Sequence, residues 1–88
     1  MKIIWAPGAW KDYLEFKEAA PLLAVKIDEL ITDIQRSPFK GLGKPEPLRG
    51  DLAGLWSRRI SKGHRLVYRI AGSRADQRLE IIQCRFHY

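Results

Sequence analysis

Three side chains far apart in the sequence have the types needed to cleave an RNA phosphodiester bond without a metal: the carboxylate of Glu46, the guanidinium of Arg65 and the imidazole of His87. Cleavage by internal transfer needs a base to take the proton from the 2′-hydroxyl and an acid to protonate the leaving 5′-oxygen. It also needs cations to stabilise the charge that builds on the phosphorane. Glu46, His87 and Arg65 can fill those three roles. DNA lacks the 2′-hydroxyl and is refused by such chemistry. The histidine belongs to the last five residues, Cys84-Arg85-Phe86-His87-Tyr88, an unusual place to spend an imidazole on structure.

Other chemistries find less support. Two histidines, His64 and His87, and the lone Cys84 show no ligand spacing such as H-x-x-x-H or C-x-x-C, so neither a metal nor another cofactor is expected. Gly41-Leu42-Gly43 lacks the strand and helix that frame a phosphate-binding glycine loop. A Ser/His/Asp triad could be assembled on paper, but nothing in the spacing supports one.

Each of the three residues must be positioned by a separate element. Glu46 lies in residues 38–54, a stretch with four glycines and three prolines that can be neither helix nor long strand. Pro45 and Pro47 fix φ on both sides of Glu46 and so hold it in a defined direction, with Lys44 and Arg49 flanking. Arg65 opens the second of two alternating runs, Leu55 to Ser61 and Arg65 to Ile70, joined at Gly63 as a hairpin. A three-residue loop (Lys62, Gly63, His64) keeps one face apolar, with Ile60 opposite Leu66 and Trp56 opposite Ile70. The other face then carries Ser57, Arg59 and Ser61 with Arg65, Val67 and Arg69, a basic concavity, while His64 is a partly solvated turn residue. After a polar loop from Ala71 to Arg78, a last strand from Leu79 to Phe86 places Ile82, Cys84 and Phe86 on the apolar face. Ile81, Gln83, Arg85 and His87 fall on the open one. Tyr88 is expected to lie past the end of that strand.

The scaffold precedes these elements. Lys2 to Ala6 is rich in β formers, is closed by Pro7-Gly8 and is expected to be paired inside a sheet. From Ala9 the spacing predicts a helix with Trp10, Tyr13, Leu14 and Lys17 on one stripe. Pro21 opens a second, on which Leu23, Ile27, Leu30, Ile31 and Ile34 recur, and Ser37-Pro38 ends it. The two helices are core elements rather than a cofactor site. The whole is a single α+β domain, residues 1–88: two N-terminal helices packed on one face of a small, mainly antiparallel twisted sheet.

Eighty-eight residues are enough to bury roughly 60% of the unfolded chain's surface without a disulfide. Cys84, in an apolar run, suits a buried thiol in a reducing compartment. No apolar run reaches the roughly 20 residues of a membrane span, so a cytoplasmic protein without membrane contact is expected. The net charge of +6 is unevenly spread: residues 1–35 hold four Lys against six acids, and residues 36–88 hold twelve basic residues against four acids. A polyanion met by the C-terminal half, nucleic acid first, follows from that asymmetry.

Plainer readings stand beside the chemical one. Glu46 could form a surface ion pair with Lys44 or Arg49, and His87 could be a frayed terminal residue. Arg58, Arg69 and Arg85 read as solvated or as general phosphate contacts, and Tyr88 as a base-stacking or disordered residue. A non-catalytic RNA- or ribosome-binding module would use the same basic sheet. The acid in its groove argues against that reading, because it costs affinity unless it does chemistry. A DNA-binding regulator would need a recognition helix, and both helices are acidic or neutral outside.

The stretches Gly43-Lys44-Pro45-Glu46-Pro47-Leu48, Trp56-Ser57-Arg58-Arg59-Ile60, His64-Arg65-Leu66-Val67-Tyr68 and Cys84-Arg85-Phe86-His87-Tyr88 resemble the signature of the YoeB (Txe) toxins of bacterial type II toxin–antitoxin systems, in the RelE superfamily. The likeness runs nearly end to end. It departs at Ala71 to Arg78, where this chain is longer than the pattern, and at Arg49, where the pattern has lysine. The resemblance implies a RelE-like microbial RNase fold, cleavage of mRNA in the A site of the 70S ribosome, inhibition of translation, and neutralisation by a YefM-type antitoxin. It also implies a homodimer, with DNA met only indirectly through the antitoxin complex. By matching motif positions it makes Glu46 the general base, His87 the general acid and Arg65 the transition-state stabiliser, with Lys44, Arg49, Arg59 and Tyr88 binding or orienting RNA.

Overall fold

The computed structural model describes residues 1–86. His87 and Tyr88, expected above as general acid and RNA contact, lie outside the described residues. The chain runs β1 (Lys2–Trp5), α1 (Pro7–Ala19), α2 (Pro21–Arg36), β2 (Glu46–Pro47), a 3-10 turn (Gly50–Leu52), β3 (Trp56–Arg59), β4 (Arg65–Ala71) and β5 (Arg78–Gln83). The strands form one sheet in the order β1-β5-β4-β3-β2. Among the described residues, only the β1–β5 pair is parallel; the other three pairs are antiparallel. This is the expected α+β architecture.

β1 is paired, but at an edge of the sheet rather than inside it. The chain returns from the helices as an antiparallel meander, which meets β1 only through its last strand, β5. Pro7, read as part of a strand-closing turn, instead opens α1, where its missing N–H is one that a first turn leaves unbonded anyway. The buried stripe of α1 is Ala9, Tyr13 and Phe16, while Trp10 and Leu14 remain 44% and 41% exposed. The helix is thus rotated by about one residue from the expected stripe. Trp10 lies over the sheet edge instead, with its ring centroid 5.3 Å from Trp5 and 5.6 Å from Tyr13. α2 buries Ala24, Ile27, Leu30, Ile31 and Ile34, with Leu23 packed at the margin, as its periodicity predicts. It ends where expected, the Ser37 N–H still donating to the Asp33 carbonyl before Pro38.

The β3–β4 hairpin is wider than the three-residue loop predicts. Trp56 pairs with Tyr68, Arg58 with Leu66 and Arg59 with Arg65, a slip of two residues. A slip of two preserves the face of every side chain, so the division into a helix-facing side and an open side survives. β5 departs more. Val67 pairs with Gln83 but Tyr68 with Ile81, leaving Ile82 as an extra residue in a bulge. Leu79 and Ile81 therefore face the core, and the bulge resets the phase so that Cys84 does too; Ile82 and Phe86, expected inside, are 37% and 61% exposed. The strand also ends at Gln83, three residues earlier than expected.

Cys84 is fully buried against Ala9, its thiol donating to the Ala9 carbonyl at 3.3 Å. Burial, with a smaller contribution from the Asp12 carboxylate, pushes the thiol up to about 12. The folded protein is accordingly expected to leave Cys84 unmodified by an aromatic disulfide reagent at neutral pH, and to titrate one thiol in denaturant. Rapid labelling of the native protein would contradict this packing. Among the described residues, no helix is long and apolar enough to cross a membrane.

Candidate active site

The open side of the sheet is organised from beneath by a residue on the core side, Arg58. The sequence reads it as solvated or as a phosphate contact, yet its side chain is completely buried. Its guanidinium reaches four places in the chain before β2. Nη1 donates to Asp33 Oδ2 at 2.6 Å and to the Leu42 carbonyl at 3.0 Å, and Nη2 to the carbonyls of Ser37 at 2.6 Å and Lys40 at 2.9 Å. Nε donates to the Tyr68 hydroxyl at 3.2 Å, and that hydroxyl donates to the Pro38 carbonyl at 2.6 Å. The fork thus collects carbonyls that a loop without regular structure could not otherwise satisfy. Arg58 holds the Asp33 carboxyl below its ordinary value, helped by the Leu42 N–H.

Gly43 completes the attachment. Its carbonyl accepts the Arg59 N–H at 2.7 Å, and its φ is +79°. A Cβ there would meet Leu30 Cδ2 at 2.9 Å and Arg58 Cβ at 3.0 Å, so only glycine lets the loop lie this close to β3. The next residues, Lys44-Pro45, lead into β2, where Glu46 pairs with Ser57 and Pro47 with Trp56. The two prolines suit an edge strand, which spares them ladder donors.

Register alone then aligns the open face. Glu46, Ser57, Val67 and Gln83 are successive cross-strand partners, forming a row across four strands. Two residues along, Arg59 stands opposite Arg65. Two strand spacings and a two-residue rise put the Cα atoms of Glu46 and Arg65 about 12 Å apart, a span that a glutamate and an arginine can close around one phosphate. Ser57 and Val67 are buried in the floor, and Leu48 is buried nearby. Glu46, Arg59, Lys44 and Arg49 are exposed.

Arg65 is half-buried and partly committed. Its Nη1 donates to the carbonyls of Ser61 at 2.8 Å and His64 at 3.0 Å, with Lys62 longer at 3.3 Å. A guanidinium has five donors, and the other three sit on Nε and Nη2. The loop contact therefore orients the fork rather than consuming it. Like charges directly opposite each other destabilise a sheet. An anion between Arg59 and Arg65 would relieve that repulsion.

The remaining arginines do not join this set. Arg69 and Arg78 both pair with Glu80, at 2.6 and 3.4 Å, and the Arg69 guanidinium lowers the Glu80 carboxyl. Arg85, expected on the open face, turns toward α1 because the strand has ended: it meets Asp12 and Glu15 at 3.4 and 3.3 Å and lies over the Phe16 and Phe86 rings. Glu46, Arg59 and Arg65 thus share the open face, while the His87 and Tyr88 expectations fall outside the described residues. Sequence reading missed Arg58 as the loop's anchor. It also missed His64, whose Nδ1 accepts the Phe86 N–H at 2.8 Å. Among the described residues, no three His, Cys, Asp or Glu side chains cluster as metal ligands would.

Comparison with known proteins places this architecture. Residues 5–88 match the family model for the YoeB-like toxin of bacterial type II toxin–antitoxin systems. The toxin YoeB of Escherichia coli K12 is 50% identical over 88 residues, covering 100% of both chains. Among solved structures, the YoeB/ParE toxin from Agrobacterium tumefaciens superposes with a TM-score of 0.96 at 55% identity, again over 100% of both chains. The Staphylococcus aureus YoeB is 38% identical over 100% of this chain and 98% of its own. It superposes with a TM-score of 0.90 as a YoeB dimer and 0.88 in a YoeB–YefM complex.

Proposed function

Because the chain belongs to the YoeB-like toxins of bacterial type II toxin–antitoxin systems, we propose that it is a ribosome-dependent endoribonuclease that cuts mRNA in the A site and so stops translation. The observation that carries this reading is the sharing of one sheet face by Glu46 and the facing Arg59–Arg65 pair. Glu46 acts as general base on the 2′-hydroxyl and His87 as general acid on the 5′-oxygen. Arg65 stabilises the phosphorane, and no metal takes part. Lys44, Arg49, Arg59 and Tyr88 bind or orient the RNA. A fixed carboxylate beside cations avoids reorganisation when charge develops, which is where such sites gain their rate.

The partners follow from the same membership. A YefM-type antitoxin neutralises the toxin, and the active species is a homodimer, as the Staphylococcus aureus dimer and complex suggest by their composition. DNA is met only through the antitoxin complex. The protein works in the cytoplasm, where translating ribosomes are.

Incubation of the purified protein with translating ribosomes and a defined mRNA is expected to give cuts within codons, and none on the same RNA free of ribosomes. A binding-only module would instead show salt-sensitive ribosome association without product. Stable association with no cleavage at any salt concentration would favour that module.

A further inference from the structure

The contact between His64 and the terminal segment has no part in the acid/base scheme, yet it ties together the two chain segments that scheme must bring into register. His64 Nδ1 accepts the Phe86 N–H at 2.8 Å. Its ring is flanked by Phe16 at 5.2 Å, edge-on, and by Phe86 at 5.7 Å. The Phe86 carbonyl in turn accepts the N–H of the neighbouring residue, Arg65, at 3.1 Å. Both main-chain polar groups of Phe86 are therefore held by consecutive residues, the last of the β3–β4 loop and the first of β4. Phe86 adopts φ of +60°, a left-handed conformation that a bulky side chain takes only when its surroundings impose it. The Arg85 guanidinium over its ring, at 5.0 Å, closes the third side.

We propose that His64 is a positioning residue: its Nδ1 lone pair holds Phe86 in the left-handed turn and so sets the direction in which the chain leaves toward His87. The inference rests on the endonuclease reading for its functional consequence, but the clasp itself is independent of it. A ring nitrogen accepts only when it carries no proton, so the bonded form is the tautomer with its hydrogen on Nε2. The loop that leads into Arg65 thereby also fixes the turn at Phe86, the last described residue before His87.

Side-chain geometry supplies the test. The Oδ1 of asparagine stands where histidine carries Nδ1, whereas the Oε1 of glutamine stands where it carries Nε2. In the full-length chain, His64→Asn should keep the clasp, and His64→Gln and His64→Leu should lose it. On ribosome-bound mRNA, the Gln and Leu variants are expected to lose about tenfold or more in kcat with KM changed less than about twofold, while Asn stays within about threefold of wild type. Hydrogen exchange at the Phe86 amide should be fast in Gln and Leu and slow in Asn and wild type. Thermal unfolding identifies any variant that fails to fold; the Asn–Gln comparison stands without the Leu variant. Equal kcat in all four proteins, equal losses in Asn and Gln, or a Phe86 amide still protected in Gln would overturn the proposal. If wild type itself cuts nothing, the endonuclease reading fails, and the amide exchange alone decides the clasp.

Discussion

Glu46→Ala is expected to slow cleavage of ribosome-bound mRNA by about 10²–10⁴-fold, the usual contribution of a positioned general base, without a loss of ribosome affinity. The carboxylate is exposed on a two-residue edge strand, so its removal costs little packing. It is also an anion on a face with Arg59, Arg65, Lys44 and Arg49, where phosphate binding by itself would favour its absence. Loss of rate with retained or improved binding therefore separates chemistry from recognition. Adding His87→Ala should cost much less than a second factor of the same size, because a base and an acid serving one transition state act as a unit. Wild-type cutting by the double variant would remove the assigned mechanism.

Arg58→Ala is expected to destabilise the protein by about 2–4 kcal/mol, because several acceptors lose a fully buried donor at roughly 1–3 kcal/mol for each that stays buried, measured by chemical denaturation. The guanidinium serves Asp33, the Tyr68 hydroxyl and the carbonyls of Ser37, Lys40 and Leu42, and alanine would strand them together. Arg58→Lys should recover little, since an ammonium cannot reproduce the planar fork. pH provides a second reading of the same junction. Asp33 has a lowered folded-state value, so its contribution is fully present above the ordinary carboxylate range and is lost as pH falls through the folded value. The wild type should therefore lose stability more steeply than Asp33→Asn below about pH 4. Stability of Arg58→Ala within about 1 kcal/mol of wild type would show that the loop is held by other means.

The two variants also explain why some of this molecule could be read from sequence and some could not. The run Leu23, Ile27, Leu30, Ile31, Ile34 announces α2 because apolar positions every three or four residues have few other uses. Pro45-Glu46-Pro47 announces a fixed acid because proline restricts φ whatever surrounds it. Arg58 gives no comparable signal. An arginine on an alternating strand is usually solvated, and the partners that bury this one are a carboxylate and carbonyls dispersed between residues 33 and 42. The bulge at Ile82 is equally silent: with Ile81 beside it, either phase of the strand presents an isoleucine to the core. That one inserted residue reassigned Ile81 and Ile82, and the end of the strand at Gln83 reassigned Arg85 and Phe86 and left the terminal turn that His64 clasps. The hairpin slip was harmless by contrast, since two residues leave every side chain on its face.

The open face is thus held from two directions, by Arg58 beneath the Glu46 loop and by the β3–β4 loop around Arg65 and Phe86. Its purpose is tested most directly by the ends of the RNA fragments released from translating ribosomes. Internal transfer through Glu46 and His87 predicts a 2′,3′-cyclic phosphate or 3′-phosphate on the upstream fragment and a 5′-hydroxyl on the downstream one. A 3′-hydroxyl facing a 5′-phosphate would contradict it, because water rather than the 2′-oxygen would then have attacked the phosphorus.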